Sequence, residues 1–251
     1  MKHVCDFPKL PHKYDRALRE AVSFVLERFR PVGIIAAGTI VRGTPDTASD
    51  LDVWVIHLEP VRQRLQKFFN GIPAEIFVNP PWVIQKYFVQ QQGESRPISA
   101  HMMATGTVVL ATDPVVEQLR QTAISLVSST PTLTPQKLTP ARYAAATKLE
   151  DAMDIVERNP AAASMLLSEA VRQMLQVAFL KASRFIPRDK DILDALANMN
   201  SDLASKVQLF FESADATRRM QLATELADSI LGVRGFFEWN SEPEEAPPPG
   251  G

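Results

Sequence analysis

Apolar residues follow two different spacings along this chain, and the change falls near residue 128. In the first part, short apolar runs bounded by Gly, Pro, Asp and Ser predict β-strands, and longer amphipathic stretches predict helices. The predicted strands are Val32–Ala37, Val53–Ile56, Ala74–Val78 and Gly106–Leu110. The predicted helices are Tyr14–Phe29, Pro60–Phe69, Pro80–Gln92 and Val115–Ser125, the second with a solvated basic face. The N-terminal part is therefore predicted to be an α/β domain.

The second part of the chain shows helical spacing throughout. It follows a segment rich in Ser, Thr and Pro, SSTPTLTPQKLTP, which predicts a linker. The predicted helices are 139–158, 161–183, 189–199, 202–213 and 215–231, and together they predict an all-α helical bundle. The last residues are acidic and proline-rich, which is typical of disorder. The predicted organisation is an α/β domain (1–127), a linker (128–138), a bundle (139–238) and a disordered tail (239–251).

Composition and charge narrow the function classes. The chain has 251 residues, 45% of them hydrophobic and 22% charged, as in ordinary soluble globular proteins. A formal net charge of −2 argues against a protein built mainly to bind nucleic acid, so any such surface would be a local patch. The single cysteine, Cys5, cannot form an intramolecular disulfide. No signal peptide or apolar run long enough to span a membrane is visible, so a cytoplasmic protein without a membrane partner is expected.

Two aspartates at the start of the second strand carry the main chemical signal. Asp50 and Asp52 are two residues apart, and side chains at that spacing point to the same face of a strand. Such close carboxylates repel unless a cation lies between them, and Mg²⁺ with bound phosphates suits that position. Gly38 permits close approach of a ligand to the backbone, Thr39 adds a hydroxyl, and Arg42 adds a positive charge. An ordinary turn with solvated aspartates is the alternative for either element taken alone.

The order of these elements resembles a known family. Residues 38–43 (GTIVRG) and 49–53 (SDLDV) are similar to the signature of the DNA polymerase β-like nucleotidyltransferase superfamily, and the resemblance covers residues 14–112. It implies a small mixed sheet with helices on one side, and transfer of a nucleoside monophosphate from an NTP to a hydroxyl with two Mg²⁺ ions. Thr39 stands where the family usually has Ser, so the hydroxyl is retained. The implied nucleotide-binding residues include Gly38, Thr39, Arg42 and Ser49.

The resemblance also implies a third carboxylate. Glu75 lies within the apolar strand 74–78, where an unpaired carboxylate would be costly. In the family, a third acid on the strand beside the Asp-x-Asp strand completes the metal site, and in some antibiotic-modifying members a Glu there is the base. The predicted catalytic and metal-binding residues are therefore Asp50, Asp52 and Glu75. An exposed glutamate on an edge strand is the alternative for Glu75.

The helical region resembles the substrate domains of kanamycin-type nucleotidyltransferases and the related HEPN domains. Within that resemblance, Lys190 matches a phosphate-contacting lysine, although a solvated lysine is an equal alternative. Solvated positions are favoured for Glu150 and Glu169, and a structural role for His101. HEPN ribonucleases carry an Arg-x4–6-His motif, but every histidine of this chain precedes the bundle, which argues against that activity.

Three functions remain in competition at this point. The favoured one is transfer of a nucleoside monophosphate, with ATP the preferred donor, to a hydroxyl of a small molecule such as an aminoglycoside-like compound. The second keeps the chemistry but modifies a protein or RNA, as antitoxin-like adenylyltransferases do. The third is a nucleotide-binding module without catalysis, which the complete set of carboxylates argues against. A homodimer is left open.

Overall fold

The computed structural model describes residues 4–241 and residue 243. The chain divides into two compact units, Met1–Thr130 and Pro131–Gly251. The predicted disordered tail falls mostly outside the described residues.

The N-terminal unit is built on a five-stranded mixed sheet, which confirms the predicted fold class. The strand order is β3-β4-β2-β1-β5. β2 and β4 are parallel, and the other neighbouring strands are antiparallel. The strands are β1 (Gly33–Ala37), β2 (Leu51–Ile56), β3 (Gln63–Phe69), β4 (Ile72–Asn79) and β5 (Thr107–Ala111). The four strands predicted from short apolar runs are thus all present.

Helices cover both faces of this sheet, so the expectation of helices on one side is wrong. Because side chains alternate along a strand, the apolar residues of β1 and β2 pack into two separate hydrophobic cores, one on each face of the sheet. One core packs against the first helix, and the other packs against three later helices. These are α1 (His12–Arg28) on one face, and α3 (Pro81–Gly93), α4 (Ile98–Thr105) and α5 (Val115–Ser128) on the other. A four-residue helix, α2 (Gly38–Val41), follows β1.

The predicted helix at Pro60–Phe69 is wrong, because most of that segment is the edge strand β3. Its side chains are largely exposed along the strand, so the two-residue alternation that marks a half-buried strand is missing from the sequence. β3 pairs with β4 through a tight turn in which Asn70 and Gly71 both have positive φ, 47° and 75°. An Asn-Gly pair in that conformation is the preferred turn of a two-residue hairpin.

The C-terminal unit contains five α-helices among its described residues, as predicted. They are α6 (Pro135–Ile155), α7 (Pro160–Lys181), α8 (Ile192–Met199), α9 (Ser201–Glu212) and α10 (Ala216–Leu231). The starts of α7, α9 and α10 follow from the sequence, because Asn159, Asn200 and Asp215 each accept a hydrogen bond from a first-turn N–H. α6 begins inside the predicted linker, at a proline in its first turn. No helix in the described part of the chain is long and apolar enough to cross a membrane.

Candidate active site

Three carboxylates meet on one face of the sheet. Asp52 and Glu75 are register partners on the parallel strands β2 and β4, and Asp50 lies two residues before Asp52. One carboxylate oxygen from each residue lies within 4.8 Å of the others. Asp52 is only 9% exposed, whereas Asp50 is exposed. β4 lies between β3 and β2, so Glu75 is not on an edge strand. The register of two strands therefore brings together the three acids predicted from the sequence.

Gly38 lies directly against this cluster. Its φ is +90°, and a Cβ atom at this position would lie 2.7 Å from Asp52 Oδ2 and 3.5 Å from the carbonyl oxygen of Asp50. Both the backbone conformation and the lack of space require glycine here. The turn after β1 and the acids at the start of β2 are consequently in contact, as their order in the sequence predicts.

The hydroxyl of Thr39 is held by a short polar chain. Thr39 Oγ1 lies 2.9 Å from Ser49 Oγ. Ser49 donates its hydroxyl hydrogen to Asp46 Oδ1, at 2.9 Å, and accepts from the backbone N–H of Asp46, at 2.8 Å. Because Ser49 has only one hydroxyl hydrogen, Thr39 is the donor in this arrangement. Ser49 is 8% exposed, so it fixes the position of Thr39 and of the loop before Asp50.

The edge strand supplies two side chains that sequence reasoning missed. Arg64 donates to Glu75 Oε1 and forms an ion pair with it. Gln66 Nε2 donates to the same oxygen over 3.2 Å. The hydrogen bond that Arg64 donates to Glu75 raises the pKa of Arg64, and the charges of Glu75 and Asp52 raise it further, although burial acts in the opposite direction. The Asn70-Gly71 turn was the signal that could have revealed this strand.

This geometry suits a hard divalent cation. Carboxylate oxygens are the preferred protein ligands of Mg²⁺, which usually takes one or two of them and completes its shell with water and phosphate. Both hydrogen bonds to Glu75 fall on Oε1, and an ionised carboxylate has further lone pairs on its second oxygen. Asp50, Asp52 and Glu75 could therefore hold a metal while Arg64 remains bound to Glu75.

The remaining candidate residues lie on several other elements. Arg42 ends α2, is exposed, and its backbone N–H donates to the carbonyl oxygen of Gly38. Lys190 belongs to the other unit, where it is exposed in a single 3₁₀ turn, Asp189–Asp191, so its contact with phosphate stays a prediction. In that unit the carboxylate of Glu169 is bound by Arg172 and Gln173. His101 is exposed on α4.

Comparison with known proteins identifies the fold. No protein-family model matches the chain, and no curated protein matches it by sequence. Among solved structures, the chain is similar to a nucleotidyltransferase-like protein from Exiguobacterium sibiricum 255-15, with a TM-score of 0.53. The match covers 86% of this chain and 73% of that chain, at 13% sequence identity. The chain has a nucleotidyltransferase-like fold. At this identity the likeness concerns the fold alone.

Proposed function

We propose that this protein is a Mg²⁺-dependent nucleotidyltransferase that moves a nucleoside monophosphate from an NTP, preferably ATP, to a hydroxyl of a small molecule. The observation that carries the proposal is the convergence of Asp50, Asp52 and Glu75 beside the Gly38–Thr39 turn. Three carboxylates this close have mutually unfavourable charges that a cation would neutralise. The nucleotidyltransferase-like fold is consistent with this reading.

Each residue of the site would have its own role, set by its position. Gly38 would let phosphate oxygens approach the backbone, Thr39 would turn its hydroxyl hydrogen from Ser49 to one of them, and Arg42 would add positive charge. Ser49 would act through Thr39, as a positioning residue. Asp50, Asp52 and Glu75 would hold two Mg²⁺ ions, which when bound would offset the charge on the attacking and leaving oxygens.

The reaction itself is an in-line displacement. The acceptor hydroxyl oxygen forms a bond to the α-phosphorus while the bond from that phosphorus to the bridging oxygen breaks, and pyrophosphate leaves. The hydroxyl proton passes to a base, and Glu75 would take this role. Its strand pairs with β3, and its Oε1 accepts hydrogen bonds from Arg64 and Gln66. Catalysis then depends mainly on fixed positions and charges, which commonly contribute several kcal/mol to lowering a barrier.

The experiment that tests this proposal is transfer of label from α-labelled NTPs in the presence of Mg²⁺. The acceptors are a panel of aminoglycosides and a lysate of the source cell. Label on a small molecule would support the proposal and identify the acceptor class. Label on a protein or RNA band would favour the alternative of a macromolecule-modifying enzyme. Binding of Mg²⁺-ATP without transfer to any acceptor would favour a nucleotide-binding module.

A further inference from the structure

A cavity of about 780 Å³ opens beside the carboxylates, within the N-terminal unit. Glu75 belongs to both the carboxylate cluster and the cavity wall. Trp54 and Phe77, register partners on β2 and β4, line the cavity with rings stacked 4.8 Å apart. The other lining residues come from the start of β3, the end of β4, and helices α3 and α4. The cavity therefore extends from the carboxylates toward the edge strand.

Trp54 is a buried lining residue of this cavity with a polar hydrogen that no described residue satisfies. Its side chain is 2% exposed and lines the cavity, and its indole N–H has no hydrogen-bond partner within the described part of the chain. A buried polar hydrogen left without a partner costs about 1–3 kcal/mol, so such groups are normally satisfied by a protein group, water or ligand. An acceptor atom on a bound molecule would satisfy it.

The charges of the lining residues favour an anionic ligand. Arg62 and Arg64 bring two guanidinium groups to the cavity, against the single carboxylate of Glu75, which is bound to Arg64. Arg62 Nη1 donates to Tyr87 Oη over 2.9 Å, which holds one guanidinium at the wall. The lining thus carries one net positive charge beside an aromatic surface. With Mg²⁺ bound at the two aspartates of the carboxylate cluster, which lie beside the cavity but outside its lining, a polycation such as an aminoglycoside would be repelled, whereas a guanidinium binds carboxylate or phosphate well.

The order of strands shows which reactant the cavity would serve. The Gly38–Thr39 turn follows β1, the aspartates lie on β2, Glu75 lies on β4, and the cavity reaches β3. In an in-line displacement, the attacking and leaving oxygens lie on opposite sides of the phosphorus. With the leaving pyrophosphate at the β1 side, the attacking hydroxyl comes from the β4 side, where the cavity lies.

We infer that this cavity receives the acceptor, and that the acceptor carries an anionic group next to a flat apolar part and its hydroxyl. This inference rests on the proposed function, because it takes the position of the pyrophosphate from that proposal. It narrows the acceptor from hydroxyl compounds in general to anionic ones, and it makes Arg62 a determinant of specificity.

Binding can be measured without turnover from the indole N–H signals of the protein's three tryptophans in ¹H–¹⁵N spectra. A Trp54→Phe variant assigns the Trp54 signal. The probes are phenyl glucuronide, which is anionic, phenyl glucoside, its neutral counterpart, and kanamycin, a polycation. We expect glucuronide to shift the Trp54 signal and to bind about tenfold more tightly than glucoside, as one charge-assisted hydrogen bond would give. With Mg²⁺ present throughout, kanamycin should leave the signal unchanged.

Arg62→Gln should remove the preference for glucuronide over glucoside. Arg16→Gln, which changes an exposed arginine on the helix covering the opposite face of the sheet, is the matched control and should keep it. Equal affinity for the two glycosides, a shift with kanamycin, or no shift with any probe would overturn the inference. Displacement of glucuronide by α,β-methylene ATP would also overturn it, because donor and acceptor must bind together.

These outcomes separate the inference from the proposed function. Label transfer from an NTP without probe binding at Trp54 would refute the cavity assignment alone. Probe binding at Trp54 with no label transfer from any NTP to any acceptor would refute the proposed function, and the acceptor role of the cavity with it.

Discussion

Replacing Asp50 with asparagine should stabilise the metal-free protein while impairing its activity. Two unit charges 4.8 Å apart repel by about 0.9 kcal/mol in water and about 3.5 kcal/mol at an effective dielectric constant of about 20. Asp50 is exposed and Arg64 is bound to Glu75, so the repulsion lies at the water-like end of the range. The variant should therefore gain about 1 kcal/mol, or roughly 3–5 °C in the unfolding temperature of a unit of this size.

Mg²⁺ should reduce this difference in stability between the variant and wild type. A cation that binds only the folded state stabilises it by about 1.4 kcal/mol at a concentration ten times its dissociation constant. Wild-type protein should show this Mg²⁺-dependent rise in unfolding temperature, whereas Asp50→Asn should show a smaller one because a ligand has been lost. The predicted pattern is a variant that is more stable than wild type in EDTA and gains less from Mg²⁺.

The assay is thermal unfolding at low ionic strength, followed by circular dichroism, in EDTA and in saturating Mg²⁺. Glu27→Gln is the matched control, since Glu27 is an exposed acid on α1, away from the carboxylates, and its removal should leave the Mg²⁺ response unchanged. A variant that is less stable than wild type in EDTA would refute the reasoning about repulsion. An equal response to Mg²⁺ in Asp50→Asn and wild type would show that these acids do not share a cation site.

Three further predictions follow from individual contacts. Gly38→Ala should lower the free energy of unfolding by about 1–3 kcal/mol, because its positive φ is strained for alanine. It should also reduce label transfer, because the new Cβ would displace the carboxylate of Asp52; retained stability with full transfer would contradict this. Thr39→Ser should keep label transfer and Thr39→Val should lose most of it, since only the hydroxyl is required; equal rates in both variants would exclude that role. Arg172 lowers the pKa of Glu169 from its ordinary value of 4.5, chiefly by hydrogen bonding, so this pair stabilises the fold above about pH 4.5 and less as pH falls through the lowered pKa. Arg172→Gln should therefore raise the pKa of Glu169 in a carboxyl NMR titration, and an unchanged titration would refute the assignment.

The sequence predicted the centre of the candidate site because its signals are local. Asp50 and Asp52 share a strand face by their spacing alone, and the close approach of Gly38 follows from a strand-turn order within a few residues. Local spacing could not assign Glu75 to the site, because it does not show which residue of β4 pairs with Asp52. Only the resemblance to a family suggested it, and the observed register places the two side by side.

The edge strand shows where sequence reasoning failed. The sequence predicted that Arg62, Arg64 and Lys67 form the solvated face of a helix, because exposed strands have no apolar alternation. The contacts that Arg62, Arg64 and Gln66 make with Tyr87 and Glu75 depend on pairing between β3 and β4, which the turn at Asn70-Gly71 sets. Because the segment of β3 was predicted to be a helix, neither the ion pair at Glu75 nor the positive charge of the cavity could be predicted.

Transfer of a nucleoside monophosphate requires attack at the α-phosphorus, and the proposed site requires Asp52 for that attack. The most direct test incubates wild-type protein and Asp52→Asn with ATP labelled at either the α or the γ phosphate, in the presence of Mg²⁺ and the lysate acceptors. We predict that wild-type protein attaches the α label covalently and releases the γ label as pyrophosphate. Asp52→Asn should unfold cooperatively, as wild type does, but lose transfer by about a hundredfold or more. Attachment of the γ label, or undiminished transfer by Asp52→Asn, would contradict the account.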